Sequence, residues 1–247
     1  MQKSIERPQI FHKGYNHAHF EFRRGILRFL MRTIGFQVLA KLDHIEGLEN
    51  IPASGPAILM INHIAFIDPI VVLNVVPRNI VPLAKMEVYN YPFIGIIPKL
   101  WGVIPVRREE FDRRAIQQVL EVLRAGELVL VAPEGTRNPF LQPAKEGIAY
   151  LASRAGVPII PVAIEGTPGF PALRFTRAWR GPGATVRFGR PFRYRAEFRR
   201  ANHADLRKMT DEAMYVLAAM LPKERRGAYA DLSKASQDTI DWSLQKL

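Results

Sequence analysis

Brief apolar runs, each too short to be a helix and each followed by a turn or an amphipathic stretch, recur along this chain and constrain its fold more than any other feature. Residues 57–61, 80–84, 103–106, 127–132, 159–164 and 185–188 read as strands. Between them the spacing predicts helices over 69–76, 111–125, 145–155 and 204–221. The second of these places Phe111, Ala115, Ile116, Val119, Leu120 and Leu123 on one face, with Gly126 suited to its end. Gly156 closes the third, and Pro222 stops the last. Such alternation predicts an α/β fold, a single domain whose mostly parallel sheet is flanked by helices, with its site at the carboxyl ends of the strands. The expected organisation is a lead-in and helix over 1–41, a catalytic-type domain over 42–221 and a tail over 222–247. That tail is expected to pack back through Tyr229, Leu232 and Trp242.

Composition narrows the chemistry. At 247 residues, 48% hydrophobic and 23% charged, the chain can bury a substantial core. It has no cysteine, which removes disulfides, thiolate metal sites and thiol nucleophiles. Its 35 Lys and Arg against 23 Asp and Glu give a net charge of +12. That charge calls for acidic partners without choosing among nucleic acid, anionic lipid, acidic protein or a phosphorylated substrate. No window supplies the roughly 20 apolar residues of a spanning helix, and the N-terminus lacks a secretory pattern. The expectation is a cytoplasmic protein able to lie on a membrane without crossing it.

Residues 1–19 read as a loose lead-in that carries His12, His17 and His19. Residues 20–40 are amphipathic: Ile26, Leu27, Leu30, Ile34 and Val38 recur at helical spacing, while Arg24, Arg28 and Arg32 follow every fourth residue. Two readings fit. Either the helix lies on anionic lipid with its arginines near phosphates, or it is a surface helix with a solvated basic face.

Four short stretches carry possible chemistry. In Asn62-His63-Ile64-Ala65-Phe66-Ile67-Asp68-Pro69, Pro69 favours a helix start with Asp68 as its cap. The preceding turn can then bring imidazole and carboxylate together, which makes an oriented general base. With six His in the chain this spacing alone is a weak signal, and Asp68 could be only a cap. His44 and Glu49 form a similar pair around a turn at Gly47 and read as a decoy. Pro133-Glu134-Gly135-Thr136-Arg137 follows a strand and suits a phosphate, with Glu134 orienting Arg137 or accepting a hydroxyl. Arg107 and Arg108 end a third stretch, and residues 157–163 are core. Phosphate-loop, dinucleotide and nucleophile-elbow signatures are absent, as are zinc-ligand patterns.

Taken in this order and spacing, the four stretches resemble the glycerophospholipid acyltransferase superfamily from about Leu42 to Phe192. The resemblance includes Lys145-Glu146-Gly147, the run ending at Pro161, and Thr185-Val186-Arg187-Phe188-Gly189. It implies direct transfer of a fatty acyl group from acyl-CoA or acyl carrier protein to the free hydroxyl of 1-acylglycerol-3-phosphate. His63 is then the base and Asp68 its orienter. Glu134, Gly135, Thr136 and Arg137 bind the acceptor, with Arg137 on its phosphate and Arg107 as a further contact. The segment around Pro161 is linked to the acyl donor or the shape of the site. No cofactor or metal is implied; the partners are a lysophospholipid, the acyl donor and an anionic membrane surface, at the cytoplasmic face of the cell membrane. Ala65, Phe66 and Ala132 depart from the family pattern and bear on which lysolipid or glycolipid is acylated. Two other classes compete: a basic nucleic-acid-binding protein, which the absence of any such module opposes, and a non-catalytic lipid-binding relative, which retention of His63 and Asp68 opposes.

Overall fold

Fully buried strands need cover on both faces, and the central strands here have no exposed side. A computed structural model describes residues 15–38, 40–92, 95–107, 112–167, 174 and 176–244. Among them seven strands form one sheet: β1 (Leu42–Glu46), β2 (Ala57–Ile61), β3 (Ile80–Lys85), β4 (Ile104–Val106), β5 (Leu128–Val131), β6 (Ile159–Glu165) and β7 (Ala184–Phe188). Their order is β1-β7-β6-β2-β5-β3-β4. Every pairing is parallel except β6 with β7, so β1 and β7 run opposite to the other five. β2 lies between β5 and β6, and all five of its side chains are buried. The loop at its carboxyl end therefore sits at the middle of the sheet.

The helices are α1 (Glu21–Leu30), α2 (Phe36–Val38), α3 (Asp68–Val75), α4 (Ile96–Trp101), α5 (Arg113–Arg124), α6 (Gly147–Ala155), α7 (Arg177–Arg180) and α8 (His203–Ala219). The predicted helix over 20–40 is interrupted by a π-helical turn at Met31–Gly35. α5 starts at Arg113 because the Asp112 side chain caps it, accepting from the Ala115 N–H at 3.1 Å. Phe111, placed in that helix by its spacing, lies outside the described residues, as do residues 1–14 with His12. The part of the lead-in that is described is not loose: Tyr15 and Phe20 are buried and stack at 6.0 Å.

Three elements escape the sequence pattern. β1 is a polar edge strand with no buried residue. α4 carries Pro98 and ends at Gly102, whose φ of +72° and contact with the Phe20 ring both require glycine. In the tail, β8 (Arg193–Tyr194) pairs antiparallel with β9 (Ile240–Asp241). Tyr229 is buried there, Leu232 is packed on the core, and the Trp242 ring lies 5.5 Å from Phe192. Buried Glu212 of α8 fixes this return by accepting from Ser236 Oγ, Asp238 N, Thr239 N and Thr239 Oγ1.

Candidate active site

The loop after β2 is shaped by one carboxylate. Asp68 is the first residue of α3, one position inside the cap predicted for it, and its side chain turns back into the loop. Asp68 Oδ2 accepts from the N–H groups of Ile64 at 2.7 Å and Ala65 at 2.8 Å. It also lies 2.9 Å from His63 Nδ1. Asp68 Oδ1 accepts from the Thr167 hydroxyl at 2.5 Å. A carboxylate can only accept, so Nδ1 carries the ring proton and His63 Nε2 presents its lone pair. The Asp68 side chain is wholly buried and His63 is 15% exposed, so the base meets solvent only at its edge.

Asn62 anchors the start of this loop. Its amide donates to Ile164 O at 2.9 Å and accepts from Ile164 N at 2.8 Å, which carries the pairing of β2 with β6 one step beyond Ile61.

The turn after β5 is tied to the same histidine. Glu134 is buried, with Oε1 accepting from His63 N at 3.3 Å and Oε2 from Gln142 N at 2.8 Å. Asn138 N donates to His63 O at 2.9 Å. Burial pushes the Glu134 carboxyl up to about 7, against the two N–H groups that favour its charge; Asp68 adds to the rise. Among the described residues no hydrogen bond or ion pair joins Glu134 to Arg137, so it does not orient that side chain; its carboxylate braces one loop against the other. Gly135 turns the chain at a φ of +66°. Thr136 and Arg137 are exposed, and the Arg137 guanidinium lies 6.0 Å from the centre of the Phe66 ring, itself 40% exposed. Phe66 therefore still offers an aromatic platform where the family pattern has Trp.

Arg107 is less central. It follows edge strand β4, three strands from β2, or roughly 14 Å at ordinary strand spacing. It is exposed and its N–H donates to Asp112 at 3.0 Å. Arg108 lies outside the described residues. The decoy reading of His44 agrees with its place: it pairs with Glu46 on exposed β1. Among the described residues one trio, His17, Glu21 and Glu127, has metal-ligand spacing. The Arg28 charge interacts with Glu127 there and opposes a cation. The residues that sequence reasoning missed are Asn62, Gln142 and Thr167. Only Asn62 gave a signal, by its place before His63.

The amphipathic helix turns two of its arginines to carbonyls of its own protein. Arg24 is fully buried, donating to Trp101 O at 2.7 Å, Tyr15 Oη at 3.1 Å, His17 O at 3.3 Å and Gly102 O at 3.4 Å. Arg32 donates to Asn74 O at 3.0 Å and Val76 O at 3.1 Å, at the end of α3. Burial holds the Arg28 guanidinium below its ordinary value; the Arg32 charge adds to this and Glu127 opposes it. Arg24 and Arg32 thus donate to carbonyls at the ends of α4 and α3, Arg24 from a buried position and Arg32 from an exposed one, while Arg28 is half-buried. The apolar stripe of Phe22, Ile26, Phe29, Leu30 and Ile34 is left exposed, beside Ile96, Ile97 and Leu100 of α4. Among the described residues no helix is long and apolar enough to cross a membrane.

A histidine held by a buried aspartate at the middle of a mostly parallel sheet, with an exposed arginine on the adjoining loop, is an arrangement able to take a proton from a hydroxyl beside an anionic group. Residues 44–165 match the Acyltransferase family model. The 1-acyl-sn-glycerol-3-phosphate acyltransferase of Borreliella burgdorferi is 31% identical over 155 residues, 61% of this chain and 60% of that protein. The Bacillus subtilis protein of the same name is 30% identical over 119 residues, 48% of this chain and 60% of the relative. A chloroplast relative from Arabidopsis thaliana, 1-acyl-sn-glycerol-3-phosphate acyltransferase LPAT1, is 33% identical over 156 residues, 59% and 43% of the two chains. The chain thus spans three fifths or less of the length of these relatives. Among solved structures, the 1-acyl-sn-glycerophosphate acyltransferase PlsC from Thermotoga maritima superposes with a TM-score of 0.56 over 89% of both chains, at 22% identity, and shares the fold.

Proposed function

We propose that the protein is an O-acyltransferase that moves a fatty acyl group from acyl-CoA or acyl carrier protein to the free hydroxyl of 1-acylglycerol-3-phosphate, giving phosphatidic acid. The observation that carries this reading is the 2.9 Å contact between His63 Nδ1 and Asp68, which leaves Nε2 as the ring's acceptor nitrogen. His63 Nε2 removes the acceptor's hydroxyl proton as the oxygen attacks the thioester carbon. The tetrahedral adduct then expels the sulfur, which receives that proton from the imidazolium as the carbon–sulfur bond breaks. Asp68 stabilises the transient imidazolium. Arg137, with Gly135 and Thr136 on the same turn, takes the acceptor phosphate. Glu134 serves by holding that turn to the histidine, and Arg107 is a more distant contact. The names of the relatives support the acceptor, and no metal or cofactor enters the scheme.

We further propose that the protein is peripheral and works at the membrane surface, on its cytoplasmic face. What supports this is the exposed stripe of α1, which suits the acyl boundary of a bilayer once its arginines are turned inward.

A thiol-release assay in mixed micelles tests the function, using acyl-CoA or acyl carrier protein with lysophosphatidate and neutral lysolipids. Release with lysophosphatidate, abolished in folded His63→Ala, is expected. Arg137→Ala should raise the acceptor KM with kcat preserved. Full activity in folded His63→Ala ends the proposal.

A further inference from the structure

Asp68 has two oxygens in unequal positions. Oδ2 is held by two backbone N–H groups and by His63, whereas among the described residues Oδ1 has one partner, the Thr167 hydroxyl at 2.5 Å. Both side chains are fully buried, so water does not stand in for that bond. Thr167 comes from a different strand end, two residues beyond β6, and lies outside the span matched by the family model. Gly166 aims it. The chain turns there at a φ of +76°, and a Cβ would meet Gly183 O at 2.2 Å, so the bend that sends Thr167 back toward α3 is fixed by backbone packing.

We propose that Thr167 is a positioning residue for the acyl transfer: its hydroxyl fixes the Asp68 carboxylate, and through it the His63 ring, by a bond across β6 and β2. The proposal rests on the acyltransferase reading given above. Without the hydroxyl, Oδ1 is buried and unpaired. The carboxylate then rotates to share the donors on Oδ2, and the imidazole loses its fixed partner.

Thr167→Val removes the hydroxyl at constant shape, and Thr167→Ser keeps it. In Thr167→Val, kcat is expected to fall about 10- to 100-fold with the acceptor KM unchanged. Thr167→Ser should stay within about threefold of the parent. The second readout needs no turnover: the low-field proton resonance of His63 Nδ1–H, assigned by its loss in His63→Ala. It is expected to vanish or move upfield in Thr167→Val and to persist in Thr167→Ser. Thr167→Ala takes the place of Val should Val fail to fold. A Val variant with kcat within twofold of the parent, or with the resonance intact, overturns the proposal. Equal impairment of Val and Ser does so too, since it would mark packing. Absence of acyl transfer by the parent protein would refute the function, while the resonance still decides the role of Thr167.

Discussion

Replacing Arg24 by Met should detach α1 while leaving the sheet folded. Arg24 is the one fully buried residue of α1, with only Leu27 of the same helix packed partly buried against the core, so its side chain supplies the helix's polar anchor. Two of its bonds are well formed, to Trp101 O at 2.7 Å and to Tyr15 Oη at 3.1 Å; the other two, at 3.3 and 3.4 Å, are near the limit of usefulness. Hydrogen bonds from a charged group contribute about 1.5 kcal/mol each at the low end, so about 3 kcal/mol is lost. That is about a 100-fold shift toward the open form. Gly102 O keeps the Tyr15 hydroxyl as a partner, whereas Trp101 O is stranded. A ten-residue helix is marginal alone in water, so opening and fraying coincide. Amide hydrogen exchange reads this directly. The amides of α1 should exchange about 100-fold faster, with those of β2, β5 and β6 within a factor of a few. Unchanged exchange in α1, or an equal rise in the strands, refutes the idea of a single buried rivet.

Three further outcomes are expected. Gly166→Ala combines a left-handed φ of +76° with a backbone clash at Gly183 O and should cost about 3 kcal/mol, lowering Tm by roughly 6–12 °C in a scanning melt; a drop under about 2 °C would contradict it. Glu134, raised from 4.5 to about 7, keeps its proton when folded, so its destabilising effect is absent below about pH 4.5 and complete above about pH 7, on the order of 3 kcal/mol. Urea titrations between pH 5 and 8 should then show the parent losing stability with a slope that Glu134→Gln lacks, and parallel curves would rule this out. Replacing Phe22 and Phe29 by Ser removes the two most exposed aromatics of the α1 stripe, 79% and 65% accessible, and should weaken sedimentation with anionic vesicles at least tenfold without loss of thermal stability; unaltered vesicle binding would move the membrane contact elsewhere.

The apolar runs identified β2, β3, β5 and β6 because a strand between two neighbours and two helical layers has no polar positions to confuse the pattern. β1 was invisible for the converse reason. At the sheet edge its Asp43, His44 and Glu46 face solvent, and polar residues there look like loop. The His63–Asp68 contact was legible because Pro69 breaks helical geometry at a definite place. Its third member was not, since nothing local marks Thr167: its significance depends on β6 lying beside β2, a fact of topology 99 residues away in sequence. The arginines of α1 show a different limit. Periodicity separates two faces of a helix but does not say which one the protein covers, and the usual rule that the basic face is outward yields when helix-end carbonyls are within reach.

The same bonds explain why the site and the sheet form together. β2 supplies Asn62, His63 and, through α3, Asp68; β5 supplies Glu134; β6 supplies Ile164 and Thr167. Each tie crosses from the β2 loop to a neighbouring strand end, and none lies within one hairpin. A register error of a single residue between β2 and β6 would send Asn62 away from Ile164 and Thr167 away from Asp68. His63 would then keep its backbone position while losing the fixed direction of its ring. An oriented base is thus conditional on the pairing of three parallel strands, whose contacts are far apart in sequence, and the polar bonds beyond their ends reinforce the one register in which the histidine is aimed.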